Sequence, residues 1–171
     1  MFVSPLKRAL AVVVISLVAA GVAVAGPPWI AIEYPVNPHD PLTRDAFMTV
    51  RTYHHGDQVG HELIGTAEGL VNGQRRSMRL DIRRLPQTGA YAVRWRKPAD
   101  GSWVLVVSSR QDGKHMATAV VSVDNSGRVA RVSVPSRSME GGRWQVPREV
   151  AAAEVNAMLR GGGTRLLRAA S

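Results

Sequence analysis

The chain has 171 residues, the size of one ordinary domain or two small ones. It carries 22 Lys+Arg against 13 Asp+Glu, a formal net charge of +9, and 45% of its residues are apolar, which excludes disorder throughout. Cysteine is absent, which excludes disulfides, thiolate metal sites, cysteine nucleophiles and a lipobox-type lipid anchor.

The first 25 residues have the pattern of a secretory leader. Lys7 and Arg8 precede Ala9 to Val24, a run that is apolar apart from Ser16 and Gly21, and Ala23-Val24-Ala25 supplies a small-x-small cleavage site. The run ends at Pro27-Pro28, short of the ~20 apolar residues that normally cross a bilayer. Cleavage after Ala25 is therefore expected, leaving no transmembrane segment and placing the mature protein in the periplasm or outside the cell. What remains is long enough to bury a core without disulfides, because chains of ~150 residues hide about two-thirds of their unfolded surface.

Residues 26–140 read as an antiparallel all-β domain, with β-rich or alternating runs separated by turn signals at short spacing. Strands are expected at 29–34, 46–54, 61–71, 74–84, 89–97, 102–110, 114–123 and 128–134. Asn72-Gly73 and Asp112-Gly113 accept the positive φ values that two-residue hairpin turns require. The first turn pairs Val71 with Gln74, Ala67 with Met78, Gly65 with Leu80 and Leu63 with Ile82. One face of that hairpin is apolar, and Gly65 and Gly69 leave pits in it, expected to be covered by Trp95 or Trp103 from the opposing sheet.

The second turn pairs Ser109 with Met116 and Arg110 with His115. It groups Trp103, Leu105 and Val107 with Met116, Thr118 and Val120, and sets Val104 and Val106 with Ala117, Ala119, Val121 and Val123 on the reverse. Both faces are then apolar, so something must cover the second. Residues 141–163 supply a linker and a short helix. Pro147 is placed to start the helix, Ala151, Val155, Met158 and Leu159 share a face, and Gly161-Gly162-Gly163 ends it. Packing of this helix on the second sheet face within one chain is expected. Residues 164–171 form a basic tail.

Together these elements describe an antiparallel β-sandwich of immunoglobulin-like or transthyretin-like type with a short C-terminal helix. The stretch Gly101-Ser102-Trp103-Val104-Leu105-Val106-Val107 resembles the Gly-x-Trp-x-Leu-x-Val strand of YtkA/FixH-like and related exported bacterial sandwich domains. That resemblance implies an exported binding or accessory module and transfers no catalytic residue.

Two constellations could carry chemistry. Tyr53-His54-His55-Gly56-Asp57 precedes a turn, and His61-Glu62 follows it. If strands 46–54 and 61–71 form a hairpin, His54 or His55 faces His61 across its mouth. His54, His55, His61 and Glu62 are then candidate ligands for Zn(II) or Cu(II), although no His-Glu-x-x-His spacing is present.

The second constellation is basic. Arg75, Arg79 and Arg83 share one side of strand 74–84, and Arg94 and Arg96 share a side of the next. If these strands are neighbours, five guanidiniums line one surface suited to phosphate, sulfate or carboxylate. Glu68 and Asp81 offset part of that field. Few aromatics accompany the arginines, so an anionic envelope component or an acidic protein is the expected partner, and nucleic acid is not.

Enzyme motifs are missing: there is no Gly-x-Ser-x-Gly elbow, phosphate-binding Gly-Lys-Ser/Thr loop or dinucleotide fingerprint. Ser109 and His115 fall on opposite faces of their hairpin, so they form no triad with Asp112. A non-catalytic protein without a cofactor is expected, with Zn or Cu binding by the histidines as the alternative.

Overall fold

The structure, a computed structural model, describes residues 26–139 and 145–161. The expected leader, the start of the expected linker and the basic tail lie outside the described residues. The rest is an all-β sandwich with one short C-terminal helix.

Chain order gives β1 (Trp29–Glu33), β2 (Met48–His54), β3 (Asp57–Gln58), β4 (Glu62–Val71), β5 (Gln74–Arg79) and β6 (Asp81–Arg84). There follow β7 (Ala90–Arg94), β8 (Ser102–Gln111), β9 (Lys114–Val123), β10 (Val129–Ser133), β11 (Ser136–Ser138), β12 (Gln145–Pro147) and α1 (Ala152–Gly161). One antiparallel sheet has the order β1-β2-β7-β6, with β3 added beside β2. The other has the order β10-β9-β8-β4-β5, and β11 pairs with β12. Because β1 lies against β9 and β6 against β4, the two large sheets face each other.

The core forms where the inner faces meet. Period-2 alternation sends Ile30, Met48, Val50, Tyr91 and Val93 inward from the first sheet, and Leu63, Ala67, Trp103, Leu105, Val107 and Val121 from the second. At the tight turns, Asn72 and Gly73 take φ of 50° and 77°, and Asp112 and Gly113 take 50° and 75°. These positive values are those of a type I′ hairpin turn.

The expected pairings Val71↔Gln74 and Ala67↔Met78 are present. The expected strand 74–84 is not continuous, however. It divides at buried Leu80, so that β5 pairs with β4 in one sheet while β6 pairs with β7 in the other. The expected pairing of Leu63 with Ile82 is therefore replaced by Ile82↔Val93. Side-chain alternation survives the bend: Leu80 and Ile82 stay inward, and Leu80 Cδ1 lies 2.9 Å from where a Cβ on Gly65 would stand. The pit at Gly65 is filled by the corner of its own ribbon. At Gly69 the filler is Trp103, whose ring would be 2.7 Å from an added Cβ. Trp103 comes from the paired neighbour β8, in register with Gly69, and not from the opposing sheet.

The β8–β9 hairpin also differs from its expected register. Arg110 pairs with His115, but Ser109 pairs with Ala117, leaving Met116 as the extra residue of a β-bulge. One inserted residue transfers all that follows to the other face. Trp103, Leu105 and Val107 accordingly share the inner face with Ala117, Ala119, Val121 and Val123, while Val104, Val106, Thr118 and Val120 face outward.

That outer apolar face is covered within the chain. Val155 and Leu159 of α1 are buried against Val104 and Val120, with Leu70, Val106, Val150 and Met158 around them. At the start of the helix, Glu154 accepts two 2.7 Å hydrogen bonds from Arg148 and one of 2.9 Å from the Ala151 N–H. Those bonds, Arg148's first, hold its carboxyl down at about 2. No helix among the described residues is long and apolar enough to cross a membrane.

Candidate functional site

Because strand 74–84 turns a corner, the five expected arginines do not share one sheet face. Arg75 and Arg79 project from the outer side of β5, in the sheet that carries α1. Arg83 and Arg94 project from the outer side of the other sheet, where Asp81 stands opposite Arg94 and Arg83 opposite Ala92. Arg96 lies beyond the end of β7 and is exposed. The two halves meet at Leu80 as the convex side of one bent ribbon, which forms the edge of both sheets at once.

Charge along this ribbon is only partly matched. Arg75 donates to Glu68 at 2.7 Å, and Ser77 Oγ donates to the other Glu68 oxygen at 2.8 Å. Arg83 stands 3.6 Å from Asp81, with both side chains more than half exposed, a separation that water screens heavily. Arg84 lies 5.7 Å from the Tyr91 ring centroid, a cation–π contact that holds it near the corner. Arg79, Arg94 and Arg96 have no ion-pair partner among the described residues. All six residues of β5 are exposed.

The histidines meet in a different way from that expected. β2 and β4 belong to different sheets and form no hairpin. His54 pairs with Asp57 in the short β2–β3 hairpin, whose turn is His55 and Gly56 at φ of 56° and 89°. His54 and His61 instead approach across the interior, with ring centroids 5.8 Å apart, and His54 and His55 are 4.0 Å apart. Glu62 is exposed and pairs in register with Arg110, on the face opposite to His61. The expected four-ligand set is thus divided, and no group of three His, Asp or Glu among the described residues is arranged to hold a metal ion.

His61 is buried, and its Nδ1 has no hydrogen-bond partner. Its ring is held below the usual histidine range by burial first and by the neighbouring His54 second, against an opposing hydrogen bond with Gln111. Burial likewise lowers His115. In both cases the unfolded chain takes up the proton first as pH falls. Stability is therefore full above about pH 6.5 and declines below it until each folded-state ring also titrates. Urea midpoints measured between pH 7.5 and 4.5 are expected to show this decline, with a shallower slope for His61→Gln; identical slopes would contradict the reading.

Two arrangements have no clear signal in the sequence. The Met116 bulge brings His115 Nε2 to 2.9 Å from Thr118 Oγ1, which lies 2.8 Å from Ser108 Oγ. No carboxylate hydrogen-bonds to His115 among the described residues, and Thr118 is buried, so this chain of hydroxyls satisfies polar groups beside α1. The second is a cavity of about 510 Å³ on the outer side of the first sheet, bounded by the loop after β1 and by Leu85, Pro86 and Gln87. On its floor Glu33 accepts from Thr49 Oγ1 at 2.7 Å and from Arg51 Nε at 2.6 Å. Those two bonds, Arg51's the larger, hold Glu33 below the usual carboxylate range. Arg51 also reaches Gln87 at 2.9 Å, so the guanidinium is already engaged within the protein.

The chain matches no family model, no curated protein and no solved structure.

Proposed function

We propose that the protein is an exported, non-catalytic binding module that engages an anionic partner through the arginine ribbon β5–β6 and the adjoining Arg94 and Arg96. One observation carries the reading. Arg75, Arg76, Arg79, Arg83 and Arg84 lie within a single exposed edge ribbon, and among the described residues only Arg75 and Arg83 of these have a carboxylate within ion-pair distance. Planar guanidiniums on a convex edge offer forked donors to carboxylate, sulfate or phosphate groups and concentrate the positive field of a chain whose net charge is +9. The leader pattern at residues 1–25 supports a location outside the cytosol, where acidic proteins and anionic envelope components are the available partners.

The test is retention on a heparin column, with heparin as a generic polyanion. The variant Arg79→Ser/Arg83→Ser/Arg94→Ser/Arg96→Ser is expected to bind about tenfold more weakly than the parent at physiological salt, from four lost contacts with the polyanion of a few tenths of a kcal/mol each. Arg44→Ser/Arg110→Ser/Arg131→Ser/Arg137→Ser has the same net charge and is expected to elute close to the parent. Equal retention by the two variants would overturn the proposal.

A further inference from the structure

Resting on that reading, we infer that the partner is an extended acidic segment of another protein, which adds to the sheet as an antiparallel strand along the free edge of β5. The type I′ turn at Asn72-Gly73 makes Val71 and Gln74 the closing pair, which exchanges both backbone hydrogen bonds. Bonding to β4 then recurs at every second residue, through Arg76 and Met78, and the Leu80 N–H donates to Gly65 O at 3.1 Å in the same phase. Arg75, Ser77 and Arg79 therefore aim their backbone N–H and C=O groups away from the sheet. No described strand pairs with that edge.

An edge with unpaired backbone groups is a template for strand addition, and charged side chains decide what can use it. A second copy of β5 would set guanidinium opposite guanidinium, which is unfavourable across a ladder. An acidic strand makes the same side chains attractive. Directly paired residues share a face, so a partner running antiparallel places carboxylates opposite Arg79 and Arg75, a small hydroxyl opposite Ser77, and a further carboxylate opposite Arg76. Met78 is 44% exposed on this otherwise polar strand, and it calls for an apolar residue opposite. Read along the partner, the segment is Glu-Val-Thr-Glu-Glu or a chemical equivalent. Specificity comes from that order of charges, and affinity from main-chain hydrogen bonds that polysaccharide or lipid cannot supply.

Calorimetry with an end-capped peptide containing Glu-Val-Thr-Glu-Glu tests this on the full-length protein. Binding is expected for the unmodified peptide and for one N-methylated at Val, whose amide points away from β5. Methylation at the first Glu and at Thr, whose amides face β5, is expected to weaken binding at least about tenfold through lost ladder bonds. On the protein side, Ser77→Pro removes an N–H that faces solvent, so the β4–β5 ladder is left intact. It is expected to lose peptide binding to the same degree while keeping the parent's heparin retention. If Ser77→Pro does not fold, the methylated peptides on the parent decide. Equal binding of the peptide methylated at the β5-facing amides and the unmodified one overturns strand addition and leaves the anion-binding reading standing, as does no peptide binding with arginine-dependent heparin retention. Loss of arginine dependence on heparin overturns both.

Discussion

Trp103→Ala is expected to destabilise the protein by ~3–5 kcal/mol, the range for deleting a large aromatic side chain from a packed core. The ring is 3% exposed and seals the gap left by Gly69, so its removal opens a void that the rigid β4–β8 ladder cannot collapse to fill. Its Nε1–H donates to Asp100 O at 2.8 Å, pinning the loop that leads into β8. The ring is also one end of an aromatic series. Trp103 and Trp95 have centroids 6.1 Å apart, Trp95 and Phe47 stand edge to face at 5.3 Å, and Phe47 meets Tyr34 at 5.5 Å. The series ties the second sheet to both ends of the loop between β1 and β2, so the substitution is felt in both layers. Denaturant unfolding measures the loss, and a change below about 1 kcal/mol would show that the ring does not hold the two layers together.

Removing residues 147–171 is expected to make the remaining domain aggregate. Val104 and Val120 are 2% and 1% exposed with α1 in place, and Val106 and Leu70 pack beside them. Without the helix, these side chains form a continuous apolar stripe on a sheet face, the type of surface that mediates self-association. Leu159→Ala tests the same contact without truncation and is expected to cost about 2–4 kcal/mol, because Leu159 is 3% exposed. Light scattering and binding of a hydrophobic dye report the truncated form, and unchanged solubility and melting would contradict the role given to α1.

Much of this fold is legible in the sequence, for identifiable physical reasons. Asn72-Gly73 and Asp112-Gly113 announce their hairpins because few other dipeptides accept two successive positive φ values. The apolar content of both faces of residues 102–123 correctly demanded a cover, and the Ala-rich segment after Pro147 provides it. What escaped were features decided by tertiary contacts. Arg79-Leu80-Asp81-Ile82 keeps perfect polar–apolar alternation through the corner, with neither Gly nor Pro to mark it, so nothing local separates one long strand from two in different sheets. The Met116 bulge leaves no trace either, because Met116, Ala117 and Thr118 are all acceptable on a β-surface.

The candidate site was misread for reasons of the same kind. Arg75 and Arg79 alternate on exposed β5, but Arg96 falls beyond the end of β7, and the surface the arginines form depends on the bend at Leu80. His54 and His61 come together without the expected hairpin, because β2 and β4 lie in facing sheets, and that relation depends on strand order. The cavity beside Glu33 and Arg51 depends on how the proline-rich loop after β1 folds back over the sheet, for which no periodicity exists to be read.

The most direct measurement of the central idea is residue-resolved. Backbone amide shifts of the isotope-labelled protein, followed by NMR as a heparin-derived oligosaccharide is added, locate the anion-binding surface without any substitution. The largest changes are expected on residues 74–84 and 94–96, shrinking as salt is raised. Changes centred instead on the basic residues of β10 and β11, or spread evenly over every exposed arginine, would contradict it.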